Sequence, residues 1–258
     1  MIALCKYPGG KRKLAPKLLP LIPEHRCYVE LFCGAAGLLF NKPRSEGEIV
    51  NDINSELANA FRCMRFHGST VIEGLRFRCN SREDFSRSRR CSSCEHNSMT
   101  DIQRAAEFLF RHALSFGGEG LYFGVQKKQG GGAATSLAQV RRDLEKVRVR
   151  LDAVVIENLD WARCLKLYDG PETFFFCDPP YIGGTQKAYK SWNIEQLAGL
   201  VAALRAAKGK WLLTINDRAE VRRLLHGLRL RRINRARGLS QINGGARYLE
   251  LAVTPKNQ

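Results

Sequence analysis

The 258-residue chain has no apolar run near the ~20 residues that a membrane-spanning helix needs, and its apolar start, Met1–Leu4, stops at Cys5-Lys6. That start is too short for a secretion signal. Acidic residues are scarce: 25 Asp and Glu stand against 42 Lys and Arg, for a formal net charge of +17. Such an imbalance favours a polyanionic partner, because Lys and Arg release condensed counterions when they neutralise phosphates. Nine cysteines, an odd number scattered through apolar segments, fit reduced thiols better than a disulfide framework. A cytoplasmic location and no membrane association are expected.

The charge is uneven. Residues 202–258 carry 13 Lys and Arg against 3 Asp and Glu, whereas residues 137–201 carry 9 of each. The basic stretch "VRRLLHGLRLRRINRARG" keeps Val221, Leu224, Leu225 and Leu228 at helical spacing, so a folded basic face is expected rather than a disordered tail.

Short apolar runs alternate with helical patterns, the signature of an α/β fold with a mainly parallel sheet. The runs predict strands at 28–32, 48–52, 153–157, 173–178 and 210–216, and helices at 55–65, 137–151, 194–207 and 219–226. Asn193 and Asp217 are the nearby polar caps for the last two. "LRLRRIN" and "ARYLELAV" predict a C-terminal antiparallel hairpin. Between Arg62 and Ser136 the rhythm breaks, and an insertion is the economical explanation. It holds a helix that starts at a Thr100/Gln103 capping box, with Ile102, Ala106, Leu109 and Ala113 as its apolar stripe. It also holds the Arg-rich "SRSRRCSSCEHNS", which reads as a solvated loop. Cys79, Cys91, Cys94 and His96 are zinc-ligand types, but they do not form a repeated pair, and no metal is expected.

Three stretches carry chemistry. "VELFCGAAG", residues 29–37, ends the first strand in a glycine turn, at the carboxyl edge where parallel sheets bind ligands. It is neither a Gly-x-Gly-x-x-Gly fingerprint nor a phosphate loop. "IVNDIN" puts Asp52 at the next strand end, where a carboxylate can accept hydrogen bonds from a ribose, while Asn54 or Ser55 serves as the helix cap. "FFFCDPPYIGG", residues 174–184, is the sharpest. Prolines cannot continue a central strand, so a buried strand stops and presents a carboxylate and an aromatic ring on a stiff turn. Asp178 and the Pro179 carbonyl are two acceptors for an exocyclic amino group, and Tyr181 is a flat surface for a base.

"KYPGGK" at 6–11, "VELFCGAAG" at 29–37, "NDIN" at 51–54 and "DPPY" at 178–181 occur in the order that resembles Dam-like DNA adenine N6-methyltransferases. "RAAEFLFRHALSFGGEGLYF" at 104–123 looks like that family's target-recognition region. The resemblance implies a Rossmann-like class I methyltransferase sheet with a C-terminal antiparallel hairpin. The catalytic domain would comprise residues 1–61 and 137–258, and residues 62–136 would form an inserted, mainly helical target-recognition domain. It also implies S-adenosyl-L-methionine as cofactor, near Tyr7, Lys11, Phe32, Gly34, Asp52, Asp160 and Asp178, with helix capping as the alternative for Asp160. Asp178, Pro179, Pro180 and Tyr181 would hold a flipped adenine of double-stranded DNA. Arg111, Tyr122, Lys127, Lys128, Arg235 and Arg237 are the candidate DNA contacts, and a monomer is expected. The family pattern is Phe-x-Gly-x-Gly, whereas here the second glycine is displaced by one, to Gly37. An RNA adenine N6-methyltransferase and a catalytically weak DNA-binding regulator on the same fold are the alternatives. Cytosine N4 chemistry more often has Ser where Asp178 stands.

Overall fold

The computed structural model describes residues 1–94, 98–124, 135–183, 192–234 and 249–257, with the backbone alone for 91–94 and 234. Among the described residues the strands are β1 (Cys27–Glu30), β2 (Gly47–Asn51), β3 (Val155–Glu157), β4 (Thr173–Cys177), β5 (Lys210–Asn216), β6 (Arg229–Asn234) and β7 (Leu249–Thr254). The helices are α1 (Ala15–Leu18), α2 (Ser55–Glu73), α3 (Arg82–Cys94), α4 (Asp101–Leu114), α5 (Leu137–Arg150), α6 (Trp161–Tyr168), α7 (Ile194–Ala206) and α8 (Ala219–Leu224). Among the described residues no helix is long and apolar enough to cross a membrane. The chain forms two compact units. One comprises Met1–Lys13, Gly34–Lys42 and Asp52–Asn158, the other Leu14–Cys33, Pro43–Asn51 and Leu159–Gln258.

Six strands build the second unit, in the order β2-β1-β4-β5-β7-β6. β1 is parallel to both β2 and β4, and β4 is parallel to β5. β7 is antiparallel to β5 and β6, so the expected C-terminal hairpin is present. Every residue of β4 is buried, as a parallel strand covered on both faces requires. On one face Val29, Phe175, Leu213 and Leu251 pack with Leu197, Leu200, Val201 and Leu204 of α7. On the other, Phe174 stacks on Tyr28 with ring centroids 5.9 Å apart. Asn193 caps α7 by accepting from the Gln196 amide at 2.9 Å, as expected. Asp217 departs from expectation: α8 has no side-chain cap, and the Asp217 carboxylate instead binds the guanidinium groups of Arg222 and Arg232. Two cations within reach outcompete the helix amides, and the Arg222 hydrogen bond chiefly holds its carboxyl below the usual range.

In the first unit α2 packs on α4 and α5, and α3 packs on α4, around Phe61, Met64, Leu109, Phe110 and Val147. The Thr100/Gln103 capping box forms as expected. Asn54 caps α2 by accepting from the amides of Glu56 and Leu57. α2 runs on to Glu73 past the expected end at Arg65, through a non-helical residue at His67. The Arg-rich stretch is helical rather than a loop as far as Cys94. Ser81 accepts from the Asp84 amide, Glu83 and Asp84 sit in the positive first turn, and Phe85 is buried. The side chains of Cys91 and Cys94, and all of His96, lie outside the described residues.

The glycine turn is tightest at Ala36. Gly34 and Ala36 both have positive φ, 48° and 50°, and Ala36 is fully buried. Ala36 stands where the Phe-x-Gly-x-Gly pattern has its second glycine, so the left-handed backbone is kept although the glycine is not. Gly37 answers a different need: a Cβ there would lie 2.7 Å from the Arg12 amide nitrogen. A left-handed L-residue costs roughly 1–2 kcal/mol, part of which glycine returns as lost chain entropy. Loss of the fully buried Ala36 methyl, about 0.8 kcal/mol, offsets that gain, so Ala36→Gly is expected to change stability by less than about 1 kcal/mol. Thermal unfolding checks this, and a midpoint shifted by the equivalent of several kcal/mol in either direction contradicts it.

Candidate active site

In the second unit β4 delivers Asp178 at the carboxyl edge of the sheet, one residue past Cys177. Pro179 is buried, while Asp178, Pro180 and Tyr181 are half-buried. Three side chains from β5 and β7 hold this turn. The Thr214 hydroxyl on β5 donates to Oδ1 of Asp178 at 2.7 Å. Nδ2 of Asn216, at the end of β5, donates to the Ile182 carbonyl at 2.9 Å. The Tyr181 hydroxyl donates to the carboxylate of Glu250, a residue of β7 that is only 2% exposed. Sequence reasoning missed all three. The available signal was a polar residue inside an otherwise apolar strand, as in "KWLLTIN" and "LELAVT". Phe32 lies at the same carboxyl edge, past the end of β1, with its ring edge-on to Trp192 at 5.4 Å. Asp160 caps α6, accepting from the Ala162 amide at 2.8 Å, which is the capping alternative.

The first unit brings together Tyr7, Gly34 and Asp52. Asp52 is 7% exposed, and its two oxygens accept from the amides of Gly34 and Asn54, each at 3.0 Å. Burial pushes its carboxyl up, and those two amides oppose the shift. A carboxylate offers about four lone-pair sites, so a ligand can still be accepted beside the two amides. The Tyr7 ring covers Gly34, where an added Cβ would meet Cδ1 at 3.1 Å, and its hydroxyl accepts from Nδ2 of Asn54 at 3.3 Å. Lys11 is buried, with Nζ donating to the Gly9 carbonyl at 2.9 Å.

Of the expected DNA contacts, Tyr122 is exposed at 63%, on a loop whose ends are tied by Phe116 N–H to Tyr122 O and Gly124 N–H to Leu114 O. Arg111 differs. It is 8% exposed and donates to the Ser88 carbonyl, because α4 is covered on all sides from Ala105 to Leu114. The Arg111 side chain is therefore largely buried within the unit. Lys127, Lys128, Arg235 and Arg237 lie outside the described residues.

His112 on α4 is buried and stacks on Tyr7, with ring centroids 5.4 Å apart and planes 18° from parallel. Burial lowers its pKa from 6.5 to about 4, helped by the Arg111 charge and opposed by bonds to the backbone of Gly118 and Lys6. Because the folded value lies below the unfolded one, this stability is complete above pH 6.5. It is lost as the pH falls from 6.5 towards 4, where only the unfolded chain takes the proton. Between pH 7.5 and 4.5 the intact protein should lose about 2–3 kcal/mol more than a His112→Gln variant. Denaturant unfolding at the two pH values measures the difference, and equal losses contradict it.

Comparison with known proteins agrees with this chemistry. The pattern of the D12 class N6 adenine-specific DNA methyltransferases matches residues 7–237. A type II methyltransferase of Lactococcus lactis subsp. cremoris, M1.LlaDCHI, is 32% identical over 204 residues, covering 74% of this chain and 69% of the relative. A DNA adenine methylase of Haemophilus influenzae is 24% identical, covering 92% of this chain and 87% of the relative. A DNA N-6-adenine-methyltransferase of Escherichia phage P1 is 24% identical over 87% of this chain, but the match covers 31% of that protein. With a family match over most of its length, and an Asp-Pro-Pro-Tyr turn built at the end of a buried strand, the chain belongs to the D12 class N6 adenine-specific DNA methyltransferases.

Proposed function

We propose that the protein methylates N6 of an adenine flipped out of double-stranded DNA, with S-adenosylmethionine as donor and the turn at Asp178–Tyr181 as the adenine holder. The observation that carries this reading is the Asp178 carboxylate, anchored by Thr214 at the end of a fully buried strand and followed by two prolines. The donor fits the residues present. Asp52 is a buried carboxylate of the kind that takes ribose hydroxyls, and the glycine at 34 leaves room where a side chain would press on Tyr7. When bound, the cofactor supplies a methyl carbon on a sulfonium, a leaving group that takes the C–S electron pair.

The chain's own residues act on the adenine. The carboxylate of Asp178 and the carbonyl of Pro179 accept the two N–H bonds of the amino group, orienting its lone pair for in-line attack. As the C–N bond forms, positive charge grows on that nitrogen, and the two acceptors stabilise it. One N–H proton then passes from the nitrogen to solvent water, which restores neutrality. Tyr181 stacks on the extruded base. We further propose that residues 62–136 read the target sequence, with Tyr122 on its surface loop, and that the basic C-terminal segment, including exposed Arg223, Arg229 and Arg231 and the nearby Arg235 and Arg237, contacts phosphates.

Asp178→Ala is expected to abolish most methyl transfer while leaving S-adenosylmethionine binding by calorimetry intact, since the lost acceptor acts on the adenine. Asp52→Ala should do the converse and weaken cofactor binding by about 1–3 kcal/mol. Near-normal turnover in the first variant, or unchanged cofactor affinity in the second, contradicts the assignment. Replacing Arg229 and Arg231 with Ala should flatten the salt dependence of binding to any duplex without changing which adenine is modified. An unchanged slope over a salt series would place the phosphates elsewhere.

A further inference from the structure

The Asp-Pro-Pro-Tyr turn is not held by its own prolines alone. Three polar side chains reach it from β5 and β7, and two of them face each other in the sheet, since Asn216 is the register partner of Glu250. Thr214 is fully buried and Glu250 nearly so, and their immediate strand neighbours Leu213, Ile215, Leu249 and Leu251 are apolar. Placing a hydroxyl and a carboxylate there is costly unless each makes hydrogen bonds. Each does so at a different point of the same turn: Thr214 at the Asp178 carboxylate, Glu250 at the Tyr181 hydroxyl, and Asn216 at the Ile182 carbonyl.

We propose that Thr214 and Glu250, assisted by Asn216, are positioning residues for adenine methylation: Thr214 fixes the rotation of the Asp178 carboxylate and Glu250 fixes the plane of the Tyr181 ring. The proposal rests on the function proposed above for that turn. Its logic is geometric. A carboxylate on a single Cα–Cβ–Cγ linkage rotates, and a donor on one oxygen orients the other. A tyrosine ring on an irregular loop swings about χ1 and χ2, whereas a hydrogen bond from its far end to a strand removes that freedom. Both effects matter most where the reacting groups must be aligned, because a small misplacement costs rate rather than binding. Neither residue needs to touch the adenine.

The test uses conservative pairs, so that folding and positioning separate. Thr214→Val keeps the shape and removes the hydroxyl, whereas Thr214→Ser keeps the hydroxyl. Glu250→Gln keeps an oxygen that can accept from Tyr181, whereas Glu250→Leu does not. With unmethylated bacterial DNA as substrate, the Val and Leu variants should lose about tenfold or more in kcat. Their cofactor affinity should stay within about twofold of the parent. The Ser and Gln variants should recover to within about threefold. Glu250→Leu should cause no further loss in a Tyr181→Phe background, because the bond it removes is already gone.

Equal losses in the conservative and the disruptive variants, or additive losses of Glu250→Leu and Tyr181→Phe, would overturn the proposal. If Glu250→Leu does not fold, Glu250→Ala takes its place in the same cycle with Tyr181→Phe: its loss should vanish in the Phe background. Failure of the underlying function would look different, since the unaltered protein would then methylate no adenine. In that case the Tyr181–Glu250 coupling is read from thermal unfolding of the same cycle.

Discussion

β4 is buried on both faces and then meets two prolines, and the rest of the second unit answers to that constraint. Burial on both sides demands a continuous apolar run and a covering layer on each face, which α7 with its leucines provides on one side. Proline at 179 ends the strand's hydrogen-bonding ladder, so the chain must leave the sheet at its carboxyl edge. Asp178 is thereby delivered on backbone that has little freedom to move. The neighbouring parallel strand β1 ends in the same direction, with Glu30 opposite Phe176, and carries Phe32 to that edge.

Stiffness of this kind would have little chemical use without polar groups to complete it. Thr214, Asn216 and Glu250 do so at the turn, and elsewhere in the second unit Glu30 accepts from the Tyr28 hydroxyl at 2.9 Å and Asn51 donates to the carbonyls of Leu31 and Leu159. Satisfied networks in a low-dielectric interior specify one arrangement more firmly than apolar contacts can. The same economy recurs in the first unit, where the two oxygens of Asp52 accept from two backbone amides.

Much of this was legible because it is local. The strand cores, the Asn54 and Asn193 caps and the Thr100/Gln103 box depend on residues within a turn of each other, and each formed as its sequence implied. Motif order was legible for the same reason, since glycine, acid and proline each limit the backbone in place. What escaped was set by partners far along the chain. Thr214, Asn216 and Glu250 meet the turn across 36, 34 and 69 residues, so nothing near them in sequence announces the contact. The burial of Arg111 was not legible because packing of α2 and α3 on α4 decides it, not its own helix. α3 was missed because its helix rests on a start signal and charge placement with Phe85 as a lone large apolar anchor, and no apolar stripe betrays it.

The account turns on a carboxylate and a carbonyl receiving the amino group of adenine. Its most direct measurement is mass spectrometry of nucleosides from unmethylated duplex DNA, incubated with the protein and S-adenosylmethionine carrying an isotope-labelled methyl group. The account predicts labelled N6-methyladenine in the duplex, with little or none when single-stranded RNA replaces it. Label on cytosine N4, or none on adenine in any duplex, would contradict it.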